Sequence, residues 1–336
     1  MIGLILMAHG TPASTEDLEA FYTEIRRGSP PSPDQLQNLK MRYLAIGGIS
    51  PLTQRSLAQA TGMQQCLEIR YPGEYVVVYG AKHAEPRIDY AVRSLLEQGV
   101  NRIIGIVLAP HYSAMSVGEY ARRATEATRS AISAGLDVRG AMHDEPPLRI
   151  DVVKSWYRSE GFLRLLSERV NDAMVGVPEE LREDTLVIFT AHSLPARILE
   201  SGDPYAEQLH DSARLVAEMS GLENWTVAWQ SAGRTSEQWL GPDILELMRS
   251  LPNTGTKQII VCPIGFVADH LEVLYDLDIE ARQLATKLGI SFSRTSSLND
   301  DPQFCSVLAD IAQDAALGNG DLLDTQVCDS QWIDHR

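Results

Sequence analysis

Cysteine is scarce: the 336 residues hold only Cys66, Cys262, Cys305 and Cys328, dispersed and without a C-x-x-C pair. That spacing argues against a disulfide framework and against a closed four-cysteine metal site. Basic residues are also in short supply, 29 Lys and Arg against 45 Asp and Glu, for a formal net charge of −16. Such a surface repels polyanions, which disfavours a general nucleic-acid or anionic-membrane binder, and any anionic ligand has to be met by a local basic cluster. No run approaches the ~18 consecutive apolar residues of a membrane span. No Lys or Arg precedes the first short apolar run, unlike a signal peptide, so a cytoplasmic protein without membrane insertion is expected. The chain has no Walker A sequence, no G-x-G-x-x-G after its first strand and no G-x-S-x-G around Ser193. Nucleotide cradling and serine-hydrolase chemistry are therefore unsupported.

What is present is one statement made twice. An apolar run at 3–8 ends in His9, Gly10, Thr11 and Pro12, and another at 185–191 ends in His192, Ser193, Leu194 and Pro195. Continuous apolar runs closed by turn residues read as buried parallel strands, and the residue past the end of such a strand lies where open α/β sheets bind ligands. Further strand patterns at 75–79, 102–109 and 136–142 follow the first histidine, and at 226–229, 258–263 and 289–292 the second, with helical periodicity between them. This alternation argues for right-handed βαβ units. The expected fold is α/β: two Rossmann-like domains related by internal duplication, each a four-stranded parallel sheet flanked by helices. The expected boundaries are 1–150 and 151–317, with 145–180 joining the halves, a helix at 298–317 able to pack back on the first, and 318–336 a fraying tail. The connection after the first strand, with its Pro-rich 26–33 and Gly-rich 46–51, is far longer than an ordinary βα link, and such insertions usually serve a site.

In doubly wound sheets the first and third strands flank the switch point, so His9, His111, His192 and the 265–272 loop are expected to converge. Beyond that loop Glu272, Asp276 and Glu280 recur every four residues, while Leu271, Val273, Leu274, Leu277 and Ile279 make most of the remaining helix surface apolar. Asp278 interrupts the apolar side. A solvated acidic face on an amphipathic helix has the same periodicity; neighbouring carboxylates that raise one another's pKa would instead suit a path for a divalent cation one way and protons the other. A histidine after a strand is commonly a hydrogen-bonded turn residue, which is kept as the reading of His111; the duplicated context favours chemistry at His9 and His192. Neutral imidazole accepts protons near neutral pH and ligates iron, and a carboxylate facing it makes an acid/base or metal-handling pair.

The segments Met7-Ala-His-Gly-Thr-Pro12, Ala45-Ile-Gly-Gly-Ile-Ser-Pro-Leu52, Val107-Leu-Ala-Pro-His111, Ala191-His-Ser-Leu-Pro195 and Gly265-Phe-Val-Ala-Asp-His-Leu-Glu-Val-Leu-Tyr-Asp276 resemble ferrochelatases, in the right order from about Gly3 to Leu317. The likeness is to the soluble branch acting on coproporphyrin III. It implies insertion of Fe²⁺ into that porphyrin to give coproheme in heme biosynthesis, in a cleft between two Rossmann-like domains. His192 and Glu272 are implied as catalytic, and His192, Glu272, Asp276 and Glu280 as the metal-handling set, on a helix containing a π turn. Porphyrin contacts are expected from His9 as axial ligand candidate and from Arg26, Arg27, Arg42, Tyr43, Ser50, Tyr112 and Ser113, guanidinium groups being suited to bidentate capture of propionates. A loop at 50–62 is expected to lack the hydrophobic lip of membrane-associated relatives. Two departures stand out. Soluble members carry Tyr where this chain has His9, and members with a [2Fe–2S] cluster carry clustered cysteines absent here, so no cluster and no permanently bound cofactor is expected, iron being a substrate. A monomer that hands its product transiently to the next heme-pathway enzyme is expected. The alternatives are a class II chelatase placing cobalt or nickel in a tetrapyrrole, and a non-enzymatic heme carrier, which has no need of an ion path.

Overall fold

The computed structural model describes residues 1–100, 102–134, 149–233 and 235–323. Its strands are β1 (Ile2–Ala8), β2 (Tyr75–Ala81), β3 (Arg102–Val107), β4 (Arg149–Val153), β5 (Thr185–His192), β6 (Trp225–Gln230), β7 (Gln258–Cys262), β8 (Ser291–Arg294) and β9 (Leu322–Leu323). The helices are α1 (Leu18–Ile25), α2 (Pro33–Ala45), α3 (Leu52–Arg70), α4 (Ile88–Glu97), α5 (Glu119–Ser133), α6 (Glu160–Val175), α7 (Tyr205–Met219), α8 (Ile244–Ser250), α9 (Leu271–Leu274), α10 (Arg282–Leu288) and α11 (Pro302–Leu317), with π-helical turns at Ala114–Gly118 and Asp276–Ala281. The chain divides into two compact units. One comprises Met1–Leu39, Leu52–Trp156 and the residues from Asp300 onward; the other comprises Lys40–Pro51 and Tyr157–Asn299.

In the first unit the strand order is β2-β1-β3-β4, all parallel, with the two-residue β9 added antiparallel beside β4. Leu4, Ile5, Leu6 and Met7 of β1 are wholly buried, and α4 covers the sheet with Ile88, Ala91, Val92, Leu95 and Leu96, as expected of a central parallel strand. The strand expected at 136–142 lies outside the described residues. The fourth parallel strand is Arg149–Val153, inside the stretch read as a connection, because Asp151 breaks its apolar run. That carboxylate is only 4% exposed and is met by Arg102 from β3, Nε to Oδ2 3.1 Å. Arg102 also donates to the carbonyls of Ala316 and Ala315 at 2.7 and 3.0 Å, tying the last turn of α11 to this sheet. Helix α11 packs on α3, where a Cβ at Gly62 would lie 2.5 Å from Cys305 Sγ. Residues 52–62 open α3 and do not form the expected loop, and Ile49 and Leu57 stand exposed at 57 and 44%. Part of the segment expected to fray is thus ordered, since Lys154 N donates to Asp321 O at 2.7 Å beside β9.

The second unit repeats the pattern as β6-β5-β7-β8, all parallel, the same 2-1-3-4 order and the structural trace of the duplication. Seven of the eight residues of β5 are buried, and the exception is its last, His192. Ile188, Ile259 and Val261 pack against Ile244 and Met248 of α8 and against Val273, Leu277, Ala281 and Ala285, which run through α9, the π turn and α10. Those apolar residues hold the carboxylate-bearing segment on the sheet. Among the described residues no helix is long and apolar enough to cross a membrane.

Candidate active site

In the second unit the chemistry gathers past the ends of β5 and β7, the two strands at the switch point of the sheet. His192 closes β5, and its Nδ1–H donates to the carbonyl of Ser193, which leaves Nε2 directed at Glu272 Oε1, 3.5 Å away. The hydroxyl of Tyr205 donates to the His192 carbonyl at 2.9 Å. The loop after β7 reaches β5 through Gly265, whose N–H donates to Thr190 O at 3.0 Å. A Cβ on Gly265 would lie 2.4 Å from Ala191 Cβ and 2.9 Å from Ala191 Cα, so glycine is required for the loop to pass beside the residue before His192. His270 Nδ1–H donates to Ala268 O at 3.0 Å and its Nε2 lies 3.7 Å from Glu272 Oε2, which places Glu272 between two imidazoles. Gln230, at the end of β6, donates to the Glu272 carbonyl at 3.0 Å and anchors α9.

Burial alone would lower the pKa of His192, but the Glu272 carboxylate, the Ser193 carbonyl and the charge of Asp276 outweigh it and raise it to about 9. Burial would likewise raise Glu272, and the two histidines hold it well below the usual carboxylate range. At neutral pH the pair rests as imidazolium and carboxylate. About a third of each side chain still meets solvent, 35 and 30%, which screens the attraction.

The acidic stripe continues through a widened turn. Tyr275 O accepts from Ile279 N at 3.2 Å and also from Glu280 N at 3.0 Å, the latter an i to i−5 bond. Asp276, 6% exposed, is paired with the guanidinium of Arg42 and accepts from the hydroxyl of Ser231. The Arg42 guanidinium lies 4.6 Å from the Tyr275 ring centroid. Burial pushes the Asp276 carboxyl up to about 6, against Arg42, which lowers it, and with Glu272 and Glu280, which raise it further. Glu280 follows, half-buried. Among the described residues no three His, Cys, Asp or Glu side chains gather closely enough to share a metal ion.

In the first unit His9 follows β1 and contacts Gly10 O through Nδ1 at 3.2 Å. Its ring stands 4.8 Å from that of His83 and meets the edge of Phe21 at 6.0 Å. His83 lies just past β2 and donates from Nδ1 to Glu24 Oε1 at 3.1 Å. The same carboxylate takes a fork from Arg87, at 2.9 and 2.6 Å. That fork holds Glu24 down at about 2, and burial takes His83 down to about 4, so this imidazole is neutral.

The remaining expected contacts are distributed. Arg26 caps α1, lies over the Tyr22 ring and donates to Ser29 O at 3.2 Å; Arg27 is exposed with a φ of 55°. Arg42, expected to meet a propionate, is committed to Asp276. Tyr43 and Ser50 are buried at 4% each. Tyr112 is half-buried with the Lys154 ammonium over its ring, and buried Ser113 caps the first π turn, accepting from Met115 N at 3.1 Å. His111 is buried, and burial takes it down to about 3. Sequence reasoning did not single out the roles of His83, Glu24, Arg87, His270 or Ser231. The strand-then-histidine signal was available for His83, but β2 runs on to Ala81, two residues past the run read from sequence.

A sequence model described as ferrochelatase matches residues 1–316. The chain is 43% identical over 312 residues to the coproporphyrin III ferrochelatase of Bacillus subtilis strain 168, covering 92% of this chain and 96% of that one. It is 37% identical over 305 residues to the ferrochelatase of Herpetosiphon aurantiacus, covering 91 and 96%. Among solved structures, SirB from Bacillus subtilis with Fe³⁺ matches with a TM-score of 0.58 at 14% identity, covering 95 and 98%, and that likeness speaks to fold alone.

Proposed function

We propose, since the chain belongs to the ferrochelatase family, that it inserts ferrous iron into coproporphyrin III to give coproheme in heme biosynthesis. The observation that carries the reading is the His192–Glu272 pair, 3.5 Å apart at the end of β5, with Asp276 and Glu280 behind it. Insertion releases two pyrrole protons for each dication that enters the ring. A dication approaching the pair repels the imidazolium proton and frees Nε2, so iron and proton exchange at one place. Glu272 takes protons beside His192, and Asp276, at about 6, both accepts and gives them up near neutral pH before Glu280. A site that binds a bent macrocycle better than a flat one favours the reacting geometry.

The substrate assignment is supported by the relatives' activity and by Arg26 and Arg27; Arg42 belongs to the ladder. On the first unit His9 is assigned as the ligand to product iron. Iron is a substrate and no iron–sulfur cluster belongs to this reading: the four cysteines at 66, 262, 305 and 328 are scattered and do not readily supply Cys₄ ligation. Cytoplasmic location, a monomeric state and transient transfer of coproheme to the next enzyme belong to the same reading. An anaerobic metalation assay pairing coproporphyrin III and protoporphyrin IX with Fe²⁺ and Co²⁺ tests it. Fastest turnover is expected with Fe²⁺ and coproporphyrin III. Absence of metalation refutes the activity, and equal turnover with protoporphyrin IX refutes the substrate.

A further inference from the structure

Asp278 breaks the apolar side of the carboxylate-bearing segment, and the ladder does not use it. Its partner is Arg294, the last residue of β8, which grips it with both Nε and Nη2 at 2.9 Å. The same guanidinium reaches Asp269 Oδ1 at 3.4 Å and donates from Nη1 to Thr295 O at 2.9 Å and Ser297 Oγ at 3.3 Å. Asp269 is held in turn by Ser297 at 2.7 Å and by Asn299, which donates to its carboxylate at 2.9 Å and accepts from its N–H at 2.8 Å. The Arg294 side chain is only 12% exposed. Arg282 also approaches Asp278, but at 3.8 Å and from a half-exposed position.

Asp269 and Asp278 bracket His270, Glu272 and Asp276 in sequence, so a single buried guanidinium closes both ends of the segment that carries the chemistry. We propose that Arg294 is a positioning residue that sets the spacing of the carboxylate ladder by clamping the loop before Glu272 to the π turn after it. The planar fork is suited to this, because it holds one carboxylate bidentately while facing a second, which a lysine ammonium does not reproduce. Displacing a reacting group by about 1 Å costs on the order of a hundredfold in rate, so a slack clamp would show at the metal-handling groups before the fold is lost. This rests on the ladder reading given above.

The test is steady-state iron insertion by full-length Arg294→Gln and Arg294→Lys, with Fe²⁺ and coproporphyrin III varied separately below the melting temperature. Arg294→Gln is expected to raise KM for Fe²⁺ at least fivefold while KM for porphyrin stays within twofold, and Arg294→Lys to recover only part of the loss. Asp278→Asn, which leaves Arg294 its Asp269 partner, carries the same expectation should Arg294→Gln not fold. A lowered melting temperature with unchanged KM for Fe²⁺ and unchanged kcat overturns the proposal and leaves a structural ion pair. Calorimetric titration of the porphyrin-free variants with Co²⁺ keeps the question separate from the reaction. At least fivefold weaker binding than wild type supports the clamp even if the wild type inserts no iron, and equal affinity overturns it.

Discussion

Replacing Glu272 by Gln keeps the shape of the side chain and removes the charge between His192 and His270. Two unit charges 3.5 Å apart attract by about 1.2 kcal/mol at the dielectric of water and about 4.7 kcal/mol at an effective value of 20. With about a third of each side chain in solvent, the lower part of that range applies, about 1 to 3 kcal/mol, or about one to two pK units. His192 should therefore fall from about 9 to between about 8 and about 7. ¹⁵N-detected NMR titration of its imidazole in the metal-free protein reads this directly. Because its folded pKa is raised above the ordinary 6.5, the pair's contribution to stability is fully present below pH 6.5 and disappears as pH rises to about 9. The wild-type melting temperature should fall across that window, and Glu272→Gln should flatten the slope. Iron insertion should drop at least tenfold, since the amide relays no proton. A His192 titration still centred near 9 in the variant would refute the electrostatic account, and near-normal turnover would remove Glu272 from proton transfer.

His9→Ala should shift the coproheme spectrum and speed product release while leaving iron insertion within about tenfold; identical spectra from pH 6 to 8 exclude His9 as ligand. Gly265→Ala drives a Cβ against Ala191 and should destabilise the fold by about 1–3 kcal/mol, read by denaturant unfolding; a variant as stable as wild type shows that the loop has room to move. Glu24→Gln should lower stability at neutral pH, because a carboxyl held at about 2 contributes fully above about 4.5 and loses that contribution as pH falls through about 2. The difference from wild type should therefore narrow in strong acid, and a constant gap in melting temperature from pH 7 to 2.5 contradicts it.

The parts legible in sequence were those whose signal is contiguous. The seven buried residues of β5 ending in a half-buried histidine announced the strand, its burial and the position of His192 at once. The four-residue spacing of Glu272, Asp276 and Glu280 showed a stripe but not the i−5 bond that widens it. Strand β4 was obscured because Asp151 is tolerable only beside Arg102, and β9 because two residues carry no periodicity. Arg42 read as a surface cation for an anionic ligand, since nothing local reveals a partner 234 positions away. Arg294 meets Asp278 across 16 positions and a change from π turn to strand, a pairing that periodicity does not mark. Pairings between distant charges are set by packing, and packing has no local signature.

The first unit is assembled from both ends of the chain, which sets an order for its birth. Strands β1 to β4 leave the ribosome early, yet α11, which packs on α3 and whose last turn is held by Arg102, is made only after all of Tyr157–Asn299. The entropy of closing so long a loop grows only slowly with its length, so the cost falls mainly on time. The second unit has all four of its strands before α11 exists. The N-terminal unit therefore finishes folding last, and in the interval the α3 face that receives α11 stands open to solvent, an exposure of the kind that makes nascent chains prone to aggregate.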